Sequence, residues 1–489
     1  MEKSEIHSGS WTGKIIKTGK WYLFASLFTK GVGVFLLPLY TTHLLPNEYG
    51  LLSTINSIAL LLPLFISFSL DSAFGRFFHD FKEDKEKLQE LFSTVFWFIL
   101  FFGILSIFLV LYSSSIWSQS LLGVDPYPIL FLAFIPILLS QVGKIGITFL
   151  EQSLNSKTTG LIQVIATILK VIAIVPLLLY YHLGIQAVLI GNAVSATCIF
   201  SFILFLMWKG GYLNFVFKTD LLKKCLIYSI PLVPGVAFTW INSMVDRLVI
   251  AKFDSLEGVG IYAFAFQIGL ILYLIGDAIT KVVSPMGMSG LLVDKAKTQE
   301  KMTSISVVIL VVMSIIYFAG ILFAEELTVI LGNQNYSQAI KLIPLVLIPS
   351  LWAIQYRFFV IIISFFKKTW MLTIASVTSG LCNLILNLIF VPDYGFIIGP
   401  ISTIVSSLLY FLILYIFSQK LMKINFEYLI YFKIISICVF FAFLVNSIFS
   451  IQFELDFAKI VIKLFLLIVA TKLILTISKI NFKHLLINN

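Results

Sequence analysis

The chain has 489 residues, of which 59% are apolar and 12% charged, against about 25% charged in soluble proteins, and this excludes a soluble globular domain. A net charge of +10 invites a nucleic-acid partner, but most basic residues lie in short loops between apolar runs rather than in one stripe, which argues against it. Apolar runs near the spanning length of about 20 residues recur from end to end and do not alternate as β-barrel strands do, so the expected fold class is an all-α polytopic membrane protein.

Fourteen transmembrane segments are predicted, at Lys17–Thr42, Leu51–Phe77, Leu91–Tyr112, Tyr127–Leu150, Thr159–Tyr180, Gly184–Trp208, Leu226–Ala251, Gly258–Met286, Met302–Phe323, Ile340–Phe365, Thr369–Val391, Gly395–Phe417, Tyr428–Phe449 and Phe457–Ile477. Lysines alternate between the connecting loops. One set holds Lys82, Lys85 and Lys87, then Lys157, then Lys209, Lys218, Lys223 and Lys224, and continues through Lys295, Lys297, Lys301, Lys367, Lys368, Lys420 and Lys423. The other set holds Asp125, Glu325, Glu326 and Asp393 with few cations. This positive-inside pattern predicts an even number of helices with both termini cytoplasmic. Lys3, Lys14, Lys17 and Lys20 precede the first apolar run without a cleavable signal pattern. The four cysteines, Cys198, Cys225, Cys382 and Cys438, are far apart and have no disulfide or metal spacing.

A repeat is visible at an offset of about 210 residues. Glu48-Tyr49-Gly50 begins the second segment and Gly258-Val259-Gly260-Ile261-Tyr262 the eighth. His182-Leu183-Gly184 enters the sixth and Asp393-Tyr394-Gly395 the twelfth, while Lys157-Thr158 corresponds to Lys368-Thr369. The expected organisation is therefore an N-terminal six-helix lobe (1–210), a C-terminal six-helix lobe (211–420) and two further helices with a tail (421–489). Six helices per lobe make the repeats parallel, and such halves commonly meet at a substrate cavity. Pro231 and Pro234, at the start of the seventh segment, are the expected hinge.

The charges within the apolar runs are the candidate site. A charge in hydrocarbon costs roughly 2.5–3.5 kcal/mol on insertion scales. All three arginines, Arg76, Arg247 and Arg357, lie in or at the ends of apolar runs; their planar forks suit phosphate or carboxylate. The alternative is that Arg76 and Arg357 snorkel to the interface and that Arg247 pairs with an acid. Lys30 and Lys170 lie near mid-segment and Lys144 seven residues before Glu151 on the same helix face. These six cations form the predicted substrate-binding set, fitting an anionic cargo such as a diphosphate. Asp71, Glu151, Asp246 and Asp277 are either proton or sodium sites or counter-ions to those cations. Asp246 points about 100° away from Arg247 on a helix, so the two need not pair. No cofactor beyond a proton or sodium gradient is expected. The stretch Gly13–Lys20 fails as a P-loop because Trp21 stands where Ser or Thr is required. No zinc pattern is present.

Four stretches carry a family resemblance: DRLVIAKFDSLEGVGIYAFAFQIG from Asp246, PNEYGLLSTINSI from Pro46, SAFGRFF from Ser72 and NLILNLIFVPDYGFIIGP from Asn383. Together they resemble the Wzx-type polysaccharide repeat-unit flippases of the MOP (MATE-like) exporter superfamily, over about residues 15–420. The resemblance implies two six-helix lobes around a cationic cavity. It also implies translocation of an undecaprenyl-diphosphate-linked oligosaccharide by alternating access, for O-antigen, capsule or exopolysaccharide synthesis, and no enzymatic activity. Polysaccharide polymerase and chain-length proteins would be its pathway partners. Alternatives are a related exporter of a cell-wall lipid precursor or a drug, or a membrane glycosyl polymerase. The cation excess argues against a cationic drug, and short outside loops argue against the polymerase.

Overall fold

The computed structural model describes residues 8–153, 155–353, 355–423, 430–438, 440 and 457–478; the side chains of 8–20, 22–23, 272–286, 289 and 478 lie outside the description. Among the described residues there are helices and turns and no strand. In a bilayer every backbone polar group has to be satisfied within the protein, and helices meet that condition segment by segment. Eleven stretches of the described residues are long and apolar enough to cross a membrane. One of them, Trp370–Leu421, is 52 residues long, far beyond the hydrocarbon thickness of about 30 Å, and it contains two helices. The chain is a multi-pass membrane protein.

It divides into two compact units, Met1–Leu44 with Leu51–Trp240, and Leu45–Gly50 with Ile241–Asn489. The first holds α1 (Ser8–His43), most of α2 (Pro46–Ser67), α3 (Leu70–Phe81), α4 (Lys85–Leu122), α5 (Ile129–Gln152), α6 (Ser156–Leu179), α7 (Ile185–Lys209) and α8 (Thr219–Ser229). Within it α7 packs against α5 and α6, and α1 against α6. Gly146 permits the α5–α7 approach, since a Cβ there would stand 2.0 Å from Ile203. The single apolar run Leu51–Phe77 is broken in the structure. Phe68 and Ser69 adopt φ of 47° and 57°, a left-handed step costing about 1–2 kcal/mol per residue. Re-aiming the chain lets α3 bury Leu70, Ala73, Phe74 and Phe78 while Arg76, His79 and Asp80 stay exposed. Phe74 and Phe78 pack with Phe92 and Phe149. Asp84 caps α4 by accepting from the Lys87 amide; that hydrogen bond, with the Lys87 ammonium, holds its carboxyl below the ordinary range.

The second unit runs from the later part of α9 (Val233–Phe253) through α10 (Leu256–Val293), α11 (Lys295–Leu322), α12 (Ala324–Leu331), α13 (Ala339–Leu347), α14 (Ser350–Ala353), α15 (Gln355–Phe365), α16 (Trp370–Tyr394), α17 (Ile398–Leu421), α18 (430–438) and α19 (Phe457–Ser478). A 3-10 turn, Ile230–Leu232, carries Pro231 and separates α8 from α9, at the place where a hinge is expected from the sequence. The first turns of α2 and α10, both in this unit, meet backbone to backbone. A Cβ on Gly50 would stand 1.7 Å from the Leu256 carbonyl oxygen, and one on Gly260 1.8 Å from that of Pro46. Pro46 and Leu256 share the repeat offset of Gly50 and Gly260, so the contact is reciprocal between equivalent positions.

Glu325 and Glu326, expected in an outside loop, are buried in the first turn of α12. Lys463 of α19 is 2% exposed and reaches them both. Its Nζ lies 2.6 and 2.9 Å from the Glu326 oxygens and 3.4 Å from Glu325 Oε2. Tyr431 of α18 lies 2.7 Å from Ser306 Oγ and 3.1 Å from Gln355 Oε1. The last two helices are thus tied to α11, α12 and α15 by buried polar groups. Breaking a buried pair by removing one partner costs about 3–5 kcal/mol. Lys463→Met is expected to lower the thermal unfolding midpoint of the detergent-solubilised protein. Adding Glu325→Gln and Glu326→Gln is expected to recover part of that loss.

Candidate functional site

Asp246 and Arg247 lie on α9 two turns before its end, 1% and 5% exposed. The helix turns them to different neighbours. Asp246 Oδ2 accepts hydrogen bonds from Tyr262 Oη of α10 at 2.5 Å and from Thr403 Oγ1 of α17 at 3.2 Å. Its Oδ1 is buried and has no hydrogen-bond partner among the described residues. Arg247 donates to the Ser243 carbonyl at 2.8 Å. Its guanidinium lies over the rings of Phe266 and Tyr262, with centroids at 4.7 and 5.5 Å. Desolvated cation–π contacts of this kind contribute about 2 kcal/mol. Among the described residues no carboxylate stands within ion-pair distance of Arg247. The arginine is held by aromatic faces; Nη1 also lies 3.6 Å from Met244 Sδ, and among the described residues Nε and Nη2 have no acceptor.

A polar seam adjoins this pair. Asn387 Nδ2 of α16 donates to Ser402 Oγ at 2.8 Å and to the Asn383 carbonyl at 2.9 Å. Asn383 Nδ2 reaches Ser406 Oγ at 3.3 Å. Asn387 Oδ1 is likewise buried and without a hydrogen-bond partner among the described residues. Ser402 and Thr403 are neighbours on α17, and both back-bond to the Gly399 carbonyl at 2.9 Å. Asp246 and Asn387 therefore attach to the same turn of α17. A buried acceptor left unsatisfied costs about 1–3 kcal/mol; one of these is an oxygen of the Asp246 carboxylate, able to take up a proton or a monovalent cation, and the other is the Asn387 amide oxygen. No group of three His, Cys, Asp or Glu side chains gathers among the described residues, so the donor set is mainly amide, hydroxyl and carbonyl oxygen.

The other candidates are distributed over the two units. In the first, Lys144 pairs with Asp71 of α3 at 2.8 Å; Glu151, seven residues on, is exposed and makes no ion pair among the described residues. Bringing α3 against α5 decides that choice. Arg76 pairs with Asp80 at 2.7 Å and is half exposed. Thr167 Oγ1 of α6 lies 3.4 Å from Thr29 Oγ1 of α1. Next to this contact stand Lys30, exposed, and Lys170, half-buried and in no ion pair among the described residues. Arg357 is half-buried on α15 in the second unit. The side chain of Asp277 lies outside the described residues. Tyr262, Thr403, Asn383 and Asn387 are absent from the sequence-derived set because they carry no charge. Their signal was the Gly-x-Tyr turn and two asparagines one helical turn apart in an apolar run.

Comparison with known proteins gives one family and one fold. A family model described as polysaccharide biosynthesis protein matches residues 43–341, more than half of the chain. Lsg locus putative protein 1 of Haemophilus influenzae is 24% identical over 422 residues, covering 84% of this chain and 99% of that protein. The structure of the lipid II flippase MurJ in an inward closed conformation superposes with a TM-score of 0.72 at 16% identity, covering 93% of this chain and 98% of that one. An inward-facing multidrug resistance MATE family transporter of the MOP superfamily gives 0.65 at 14% identity, covering 82% and 96%.

Proposed function

This chain belongs to the polysaccharide biosynthesis protein family, and we propose that it flips undecaprenyl-diphosphate-linked oligosaccharide repeat units from the inner to the outer leaflet of a bacterial cytoplasmic membrane. Its family and fold are those of transporters and flippases rather than enzymes. The observation that carries the reading is the family match, which includes the buried Asp246 and Arg247 within a long apolar helix. Arg247, with donors left over after Ser243, supplies a fork for a diphosphate. Arg357, in the same unit as Arg247, adds positive charge for that anion. Asp246, through its unpartnered Oδ1, takes up the driving proton or sodium ion. Alternating access then follows from opposing occupancy by ion and cargo, with both termini on the cytoplasmic side.

Complementation of a strain lacking its polysaccharide flippase tests this, scored by surface polymer and by lipid-linked repeat units held inside. Restored surface polymer is expected from the unaltered chain. Arg247→Lys is expected to reduce it sharply at equal expression, since an ammonium keeps the charge but loses the planar fork and its stacking. Lys170→Met is expected to reduce export more than stability. Failure of the unaltered chain in its native host's flippase-deficient strain, at normal expression, would remove the oligosaccharide cargo and leave an exporter of another substrate.

A further inference from the structure

Between α7 and α8 the chain runs as an irregular strap, 210–218, laid along the start of α4. Its backbone is satisfied by side chains of that helix. Ser93 Oγ accepts from the Asn214 amide at 2.9 Å and lies 3.2 Å from the Tyr212 carbonyl. Thr94 Oγ1 accepts from the Lys218 amide at 3.1 Å, and Trp97 Nε1 donates to the Asn214 carbonyl at 2.8 Å. Ser93 and Thr94 are fully buried by this. The outer face of the strap is aromatic. Phe215 is 93% exposed and stacks on Trp97 at 4.9 Å, and Trp208 is 69% exposed.

Irregular backbone facing lipid does not occur within the hydrocarbon layer. Large exposed aromatic rings are equally out of place in bulk water, and the level between the two is the headgroup region, where Trp and other aromatics collect. The charges fit that level. From Trp208 to Lys224 the chain carries Lys209, Lys218, Lys223 and Lys224 against one acid, Asp220. Lys85 joins them, its Nζ 5.6 Å from the Tyr212 ring centroid. Lys218 is neutralised by Glu90 at 3.1 Å; Lys85, Lys209, Lys223 and Lys224 are exposed and in no ion pair among the described residues.

The structure assigns the strap and the start of α8 as an interfacial surface that binds anionic phospholipid headgroups. The aromatic rings set its depth, and the four lysines outside ion pairs select the phosphate-rich, negatively charged lipid. On the orientation proposed above, this is the cytoplasmic leaflet, but the surface itself does not depend on the cargo. The test is lipid retention by the purified full chain, offered equal phosphatidylglycerol and phosphatidylcholine and read by native mass spectrometry. Preferential retention of phosphatidylglycerol is expected. In the variant with Lys85, Lys209, Lys223 and Lys224 all changed to Gln, the preference is expected to fall by up to about fivefold for each lysine. The matching four-Arg variant is expected to keep it and also separates charge from folding. Depth is read separately, from quenching of Trp208 by brominated lipids, taken as the difference between the parent and Trp208→Phe. Quenching by bromine near the headgroup end of the acyl chain is expected. Equal retention of the two lipids by the unaltered chain, or a Trp208 quenched only from water, would overturn the assignment.

Discussion

Asp246→Asn is expected to reduce transport to the level of an empty vector in a protein that still folds. The asparagine keeps an oxygen that can accept from Tyr262 and Thr403, the two donors that hold the side chain at 2.5 and 3.2 Å. It removes the one carboxylate of the seam, and with it the group able to take up a proton or a cation. Asp246→Ala differs in a measurable way. It strands the Tyr262 hydroxyl in a buried site, at about 1–3 kcal/mol for an unsatisfied group, while Thr403 keeps its bond to the Gly399 carbonyl. The Asn variant should therefore unfold near the parental temperature in detergent, and the Ala variant several degrees below it. Thr403→Val, which keeps the shape and removes one donor, should fall between. Normal surface polymer from Asp246→Asn at normal expression would eliminate the ion-coupling role and leave Asp246 as a structural counter-charge.

The second large effect is expected at Gly260→Ala and, reciprocally, Gly50→Ala. Each new Cβ would stand under 2 Å from a backbone carbonyl oxygen, Pro46 for Gly260 and Leu256 for Gly50. Neither neighbour is a side chain that can rotate away, so the first turns of α2 and α10 have to separate. That opens the packing of Tyr49 against Tyr336 and of Tyr336 against Phe264. Overpacking of a tight contact typically costs about 1–3 kcal/mol, and a backbone–backbone clash belongs at or beyond the top of that range. Yield and thermal midpoint of the two variants should both fall. Gly235→Ala is the control: nothing lies within 4 Å of its Cβ position, and in a helix the change favours the folded state by about 1 kcal/mol. If Gly260→Ala matched Gly235→Ala in stability, the glycine crossing would be disproved.

The amino-acid sequence by itself determined the class of molecule, because a bilayer leaves a long apolar run little choice but helix. It also located the chemistry. A charge in an apolar run is costly wherever its helix packs, so Asp246 and Arg247 stood out before any partner was known. The repeat pointed to Gly50 and Gly260 as equivalent positions, though not to their contact. Only the tertiary structure decided the partners. Asp246 is bonded to Tyr262 and Thr403, 16 and 157 positions away, Lys144 to Asp71 rather than Glu151, and Glu325 and Glu326 to Lys463. The break at Phe68–Ser69 was likewise invisible in the run Leu51–Phe77, since neither residue is a glycine or proline. The physical reason is common to all of these. A membrane helix that is apolar around its whole circumference carries no stripe to fix its rotation. Which side chains meet is set by how the helices turn and cross when they pack, and hydropathy does not record that angle.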